Sequence, residues 1–228
     1  MIIKEEIHDT LNPLIWNGDQ LRPEVRDKLI LIKERFIQGL EESNIDIDVV
    51  DTRIVGSNAS YNYGNTSDLD LHIIADIPNN MLRVIYNFYK TQFNQKYDIF
   101  IKGINTEIYV EDKDATSISN GIYSLDNNKW IKYPSKIVDP QIDISQASQY
   151  MINKYNDVVT LNNKDEASKF LDALYVNRQR SLSLEGEFGV DNLIFKEFRN
   201  RGYLQKLKDI IRNGESYEMS LESLMRRI

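Results

Sequence analysis

The chain has 228 residues, 28 Lys and Arg against 35 Asp and Glu, a net charge of −7 and no cysteine. A chain this long can bury a full core, either as one catalytic unit with a helical appendage or as two small domains. The lack of Cys excludes a disulfide framework and a thiolate metal site, and the acidic balance argues against a protein that coats duplex nucleic acid, because that affinity comes from cations displacing counterions.

No apolar run approaches the length needed to span a bilayer. The opening MIIKEE lacks the basic start and long apolar core of a signal peptide. A cytoplasmic protein with no membrane partner is therefore expected.

Pro23 suits a first helical turn, and Val25, Leu29, Ile32, Phe36 and Leu40 recur at helical spacing, which predicts a helix ending near Ser43-Asn44. Residues 45 to 55 read as a strand running into Gly56-Ser57. A polar loop follows, and residues 67 to 75 alternate like a half-buried strand. Residues 78 to 95 form a second amphipathic helix through Leu82, Ile85, Tyr89 and Phe93. Residues 97 to 101 and 104 to 111 read as strands joined by Lys102-Gly103, and residues 123 to 125 and 129 to 131 as a hairpin around Asp126-Asn127-Asn128. After Pro140 strand signals stop, and about 145 to 161, 165 to 184, 191 to 212 and 216 to 227 look helical, with Asp191 as an N-cap. Asp139-Pro140 is the best single domain boundary, dividing a core at 1 to 140 from a helical region at 141 to 228.

Chemistry concentrates in residues 56 to 71, GSNASYNYGNTSDLDL. On a strand, residues two apart share a face, so Asp68 and Asp70 project together while Leu69 and Leu71 point into the core. Two adjacent carboxylates repel, and a cation between them relieves the cost. Hard oxygen donors without Cys or His at matching spacing favour Mg2+ or Mn2+ over zinc. A Gly-Ser turn offers backbone N–H groups and a hydroxyl where the chain can approach a ligand closely, which makes Gly56 and Ser57 candidates for phosphate contact. Ser67, immediately before the pair, joins them as a candidate cofactor-binding residue. An Asp-x-Asp by itself is usually a solvated strand face; the Gly-Ser turn at the right distance after a strand lifts it above that level. His72 shares the face of the aspartates and reads as a hydrogen-bonded support. Tyr61 and Tyr63 either stack on a base or close the loop.

The Gly-Ser, spacer, Asp-x-Asp arrangement over Val55 to Ile74 resembles the signature of the DNA polymerase β-like nucleotidyltransferase superfamily. Further blocks are similar to small nucleotidyltransferases predicted in tailed bacteriophages: residues 11 to 18 (LNPLIWNG), 21 to 26 (LRPEVR), 70 to 72 (DLH), 107 to 112 (EIYVED), 121 to 125 (GIYSL), 186 to 188 (GEF) and 192 to 196 (NLIFK). The resemblance implies an α+β fold, a polymerase β-like mixed sheet with flanking helices and a C-terminal helical bundle. It implies that Gly56 and Ser57 hold the triphosphate of a donor NTP, that Asp68 and Asp70 bind two metal ions, and that a third carboxylate on a neighbouring strand completes the site. Glu107 is the candidate, because it sits mid-strand opposite in facing to Ile104, Thr106, Ile108 and Val110; Glu111, beside Asp112 and Asp114 at the strand end, is the reserve.

The activity implied is transfer of a nucleoside monophosphate to an acceptor hydroxyl, with pyrophosphate released. The acceptor is left open among a nucleic-acid end, a protein and a small molecule, and the location becomes a host cytoplasm if the chain is phage-encoded. The alternative is the same fold kept as a non-catalytic binding or virion-associated component. From Arg178 onward ten Lys or Arg face eight acids, about +2, leaving about −9 for the remainder. Arg178, Arg180, Lys196 and Arg199 are therefore candidates for phosphate contact, against the plainer reading of a solvated helix face.

Overall fold

The computed structural model describes residues 7–136 and 142–220. The described residues fall into two compact units, 7–136 and 142–220. The predicted boundary at Asp139-Pro140 lies outside the described residues.

The first unit is a mixed α+β layer. A two-residue hairpin, β1 (Trp16–Asn17) with β2 (Gln20–Leu21), precedes α1 (Pro23–Glu41). Then come β3 (Asp48–Val55), β4 (Leu69–Asp76), α2 (Asn80–Lys96), β5 (Phe100–Ile101), β6 (Ile104–Asp112), β7 (Ile122–Ser124) and β8 (Lys129–Lys132). The sheet order is β5-β6-β4-β3-β7-β8, with β4 and β6 parallel and every other pair antiparallel. Parallel neighbours need a crossover, and α2 supplies it.

Sequence periodicity explains the layers. Val25, Leu29, Ile32, Phe36 and Leu40 of α1 are buried, and they join Leu69, Leu71 and Ile73 of β4, Ile108 of β6 and Ile54 of β3 in one core. The alternate residues Asp70 and His72 of β4 and Glu107 and Tyr109 of β6 fall on the opposite face, half-buried. On α2 the buried residues are Tyr86 and Phe93; Tyr86, missing from the predicted stripe, anchors by donating its hydroxyl to Asp46 O at 2.6 Å.

Turn chemistry sets the strand register. Lys102 and Gly103 both have positive φ, 53° and 81°, as the tight turn between β5 and β6 demands. Because β5 is short, part of the edge of β6 needs another partner. Asn94 of α2 supplies it: its side-chain amide donates to Ile108 O (2.9 Å) and accepts from Ile108 N–H (3.1 Å).

The second unit is helical: α3 (Ser145–Leu161), α4 (Lys164–Glu185), α5 (Val190–Asn200) and α6 (Tyr203–Glu218), around Leu171, Leu174, Leu193, Phe195, Phe198 and Leu207. Asn163 caps α4 by accepting from the N–H groups of Asp165 and Glu166. Two expectations need correction. The helix expected over 191 to 212 is broken, because Gly202 at φ 73° turns the chain between α5 and α6; the α5 N-cap is Gly189, and Asp191 sits in its first turn. The break expected near 213 to 215 is absent, and α6 runs straight through Gly214. A Cβ there would lie 2.6 Å from Lys164 Cβ, so this glycine serves the close crossing of α4 and α6. Most of the helix expected over 216 to 227 lies outside the described residues.

Candidate active site

The site begins where β3 ends. Val55 pairs with Asp70, and the next residue, Gly56, adopts φ 75° and ψ −158°, a region that is essentially glycine's alone. A Cβ on Gly56 would also stand 2.3 Å from Asp70 Oδ2. The backbone conformation therefore demands glycine, and any larger residue would also have to displace the Asp70 carboxylate. Ser57–Ala59 then form a single 3-10 turn.

A loop before β7 backs this turn. Gly56 N–H donates to Ser119 Oγ (3.0 Å), which in turn donates to Gly121 O (2.8 Å). Gly121 lies so close to Ala59 O that a Cβ would come within 1.8 Å of it. The Gly56 N–H thus serves structure. Ser57 is half-buried, with its carbonyl accepting from Ser60 N–H at 3.0 Å. Ser67 is also tied into the loop, accepting from Gly64 N–H at 2.9 Å through its hydroxyl.

Asn58 joins three segments. It is fully buried; its Nδ2 donates to Asp68 O (2.8 Å), its Oδ1 accepts from Asn12 Nδ2 (2.7 Å) and its carbonyl accepts from Trp16 Nε1 (2.7 Å). A buried amide must find partners for every polar atom. Here they fix the start of β4 against the Gly-Ser turn. The loop between is closed by His8, whose ring stacks on Tyr63 (4.0 Å, 11°) and whose N–H donates to Tyr61 O (2.8 Å), while the Tyr61 hydroxyl lies 3.4 Å from that of Tyr133.

The parallel register of β4 and β6 places Asp70 opposite Glu107, His72 opposite Tyr109 and Ile74 opposite Glu111. Asp68 and Asp70 share the face of Glu107, and both are half-buried. Glu111 lies four residues beyond Glu107, about 13 Å along the strand. On this face Asp68 Oδ1 accepts a hydrogen bond from Asn105 Nδ2 (3.2 Å) and Glu107 Oε2 from the Tyr109 hydroxyl (2.6 Å), while His72 Nδ1 stands 3.1 Å from Glu111 Oε1 as a close charge neighbour without hydrogen-bond alignment. Burial is the main force pushing the Tyr109 hydroxyl far above its ordinary pKa; its bond to Glu107 and the charges of Asp70, Glu107 and Asp68 act the same way. It is therefore a firm hydrogen donor. Glu111 is held below the ordinary carboxylate range by His72, whose contact outweighs burial.

The donors suit a hard divalent cation in kind: three carboxylates on one face of two adjoining strands. Among the described residues no three acids or histidines already gather as a finished cage. Asp68 accepts from Asn105, Asp70 lies against Gly56, and Glu107 accepts from Tyr109. Asn58, Ser119, Asn105 and Tyr109 were not singled out from sequence. Only the last two carried a signal: they sit two residues either side of Glu107, on its face.

In the helical unit, Arg178 is engaged locally. Its Nε donates to Asn192 Oδ1 (3.3 Å) and its guanidinium lies 4.6 Å from the Phe195 ring centre. Lys196 is half-buried, and Arg180 and Arg199 are exposed.

No family model matches the chain, and no curated protein does. Among solved structures it is similar to spectinomycin adenyltransferase AAD(9) from Enterococcus faecialis, crystallised with ATP and spectinomycin: 11% identity over 83% of this chain and 99% of that one, with a TM-score of 0.26. A likeness that low is no guide to fold or chemistry. Among the described residues no helix is long and apolar enough to cross a membrane.

Proposed function

We propose that the chain is a metal-dependent nucleotidyltransferase that moves a nucleoside monophosphate from an NTP to an acceptor hydroxyl. One observation carries the reading: the Gly-Ser turn and Glu107 both border Asp70, the turn so closely that a Cβ added to Gly56 would stand 2.3 Å from Asp70 Oδ2, and Glu107 by direct register on the parallel strand. Carboxylates sharing one half-buried face repel one another, and divalent cations relieve that cost.

Asp68, Asp70 and Glu107 would hold Mg2+ or Mn2+. When bound, that cation neutralises the triphosphate and acidifies the acceptor hydroxyl. Ser57 and the turn it opens receive the triphosphate. The acceptor oxygen attacks the α-phosphorus, its proton passing to solvent, while the bond to the bridging oxygen of the β-phosphate breaks and pyrophosphate departs. The protein's own contribution is positioning and charge placement, with no covalent intermediate.

Incubation with each α-labelled NTP, Mg2+ and a set of nucleic-acid ends, proteins and small hydroxyl compounds tests the reading. Label transfer that disappears in Asp70→Asn supports it. NTP binding without any turnover would instead favour the non-catalytic alternative.

A further inference from the structure

Glu107 has neighbours on its own strand face. Asn105 and Tyr109, two residues to either side, each aim a donor into the carboxylate row, at Asp68 and at Glu107. The Tyr109 ring is itself held: it tilts against His72, directly opposite on β4, with centroids 4.8 Å apart, and Lys90 of α2 lies 5.0 Å from its centre. Its hydroxyl is therefore presented from a fixed ring, not from a mobile side chain.

We propose that Tyr109 is a positioning residue of the divalent-cation site, gripping Glu107 by Oε2 so that the remaining oxygen is presented to the cation shared with Asp68 and Asp70. The inference rests on the nucleotidyltransferase reading of those carboxylates. A glutamate side chain has three rotatable bonds, and ordering it costs entropy each time a cation binds. A hydrogen bond made beforehand removes part of that cost and fixes which lone pairs face the metal. Outer partners of this kind are worth about 10–100-fold in metal affinity.

Tyr109→Phe removes the hydroxyl and keeps the ring between His72 and Lys90. Mn2+ binding, read from the loss of the free-ion electron paramagnetic resonance signal, is measured for the full chain, for Tyr109→Phe, for Glu107→Gln, for their double variant and for Asp70→Asn, with thermal melting of each. The wild type should bind Mn2+ and Asp70→Asn should not. Tyr109→Phe should bind about 10–100-fold more weakly at an unchanged melting temperature. The double variant should bind no worse than Glu107→Gln alone, since Tyr109 acts through Glu107. Wild-type affinity in Tyr109→Phe while Glu107→Gln loses it, or additive losses in the double variant, overturns the positioning role and leaves the nucleotidyltransferase reading standing. A wild type that binds no Mn2+ overturns both.

Discussion

Gly56 and Asp70 are packed so closely that a single methyl group on the glycine would stand 2.3 Å from the Asp70 Oδ2 atom. Gly56→Ala must therefore move the carboxylate or the turn. It also carries a backbone strain of about 1–3 kcal/mol, since φ 75° with ψ −158° suits only glycine. Gly18 provides the control: its φ is also positive, at 64°, but an added Cβ would meet nothing within 4 Å. Chemical denaturation should show a clear loss for Gly56→Ala and a smaller one for Gly18→Ala, with NTP binding lost only in the former. Equal effects at the two positions would mean that the approach to Asp70 is unimportant.

Asp70→Asn and Asp68→Asn should each reduce nucleotide transfer by about 10²–10³-fold or more, with no loss of melting temperature. The asparagine keeps an oxygen that can accept from Asn105 at position 68. Removing one of two like charges on a shared face relieves repulsion in the cation-free protein. An Asp70→Asn protein with full activity would sink the proposed role.

Glu107→Gln should damage transfer far more than Glu111→Gln. Register decides this: Glu107 stands opposite Asp70, whereas Glu111 stands opposite Ile74 and is occupied by His72. Parallel measurements of kcat and of apparent Mg2+ affinity separate the two acids. If Glu111→Gln proves the more harmful, the third carboxylate has been placed wrongly.

The strand face of the site was readable from sequence because period-two alternation is local: Asp68, Asp70 and Glu107 announce their facing through Leu69, Leu71 and Ile108. Their supports were hidden for a different reason. Ser119 and Asn12 meet the Gly-Ser turn and Asn58 across 63 and 46 positions of chain, and no periodicity encodes such a partner. Glycine was ambiguous in the helical unit. Gly202 ends a helix by its positive φ, while Gly214 stays helical and lets Lys164 come close, and residue type alone does not separate those uses. The strands β1 and β2 are two residues each, too short to carry any pattern.

Arg178 is expected to act in stability more than in ligand binding, although its charge marks it as a phosphate contact in the sequence. The guanidinium lies over the buried Phe195 ring and its Nε donates to fully buried Asn192. A planar fork stacked on an aromatic face is not replaced by a lysine ammonium. Arg178→Ala should lower the stability of the protein by about 1–2 kcal/mol, and Arg178→Lys should recover less than half of it. A phosphate contact gives the opposite pattern: the lysine variant would keep nucleotide affinity, and the alanine variant would flatten its dependence on salt. Denaturation midpoints and NTP affinity measured across ionic strength, for both variants, decide between these roles. An unchanged midpoint together with a flattened salt dependence in Arg178→Ala would return this residue to the ligand.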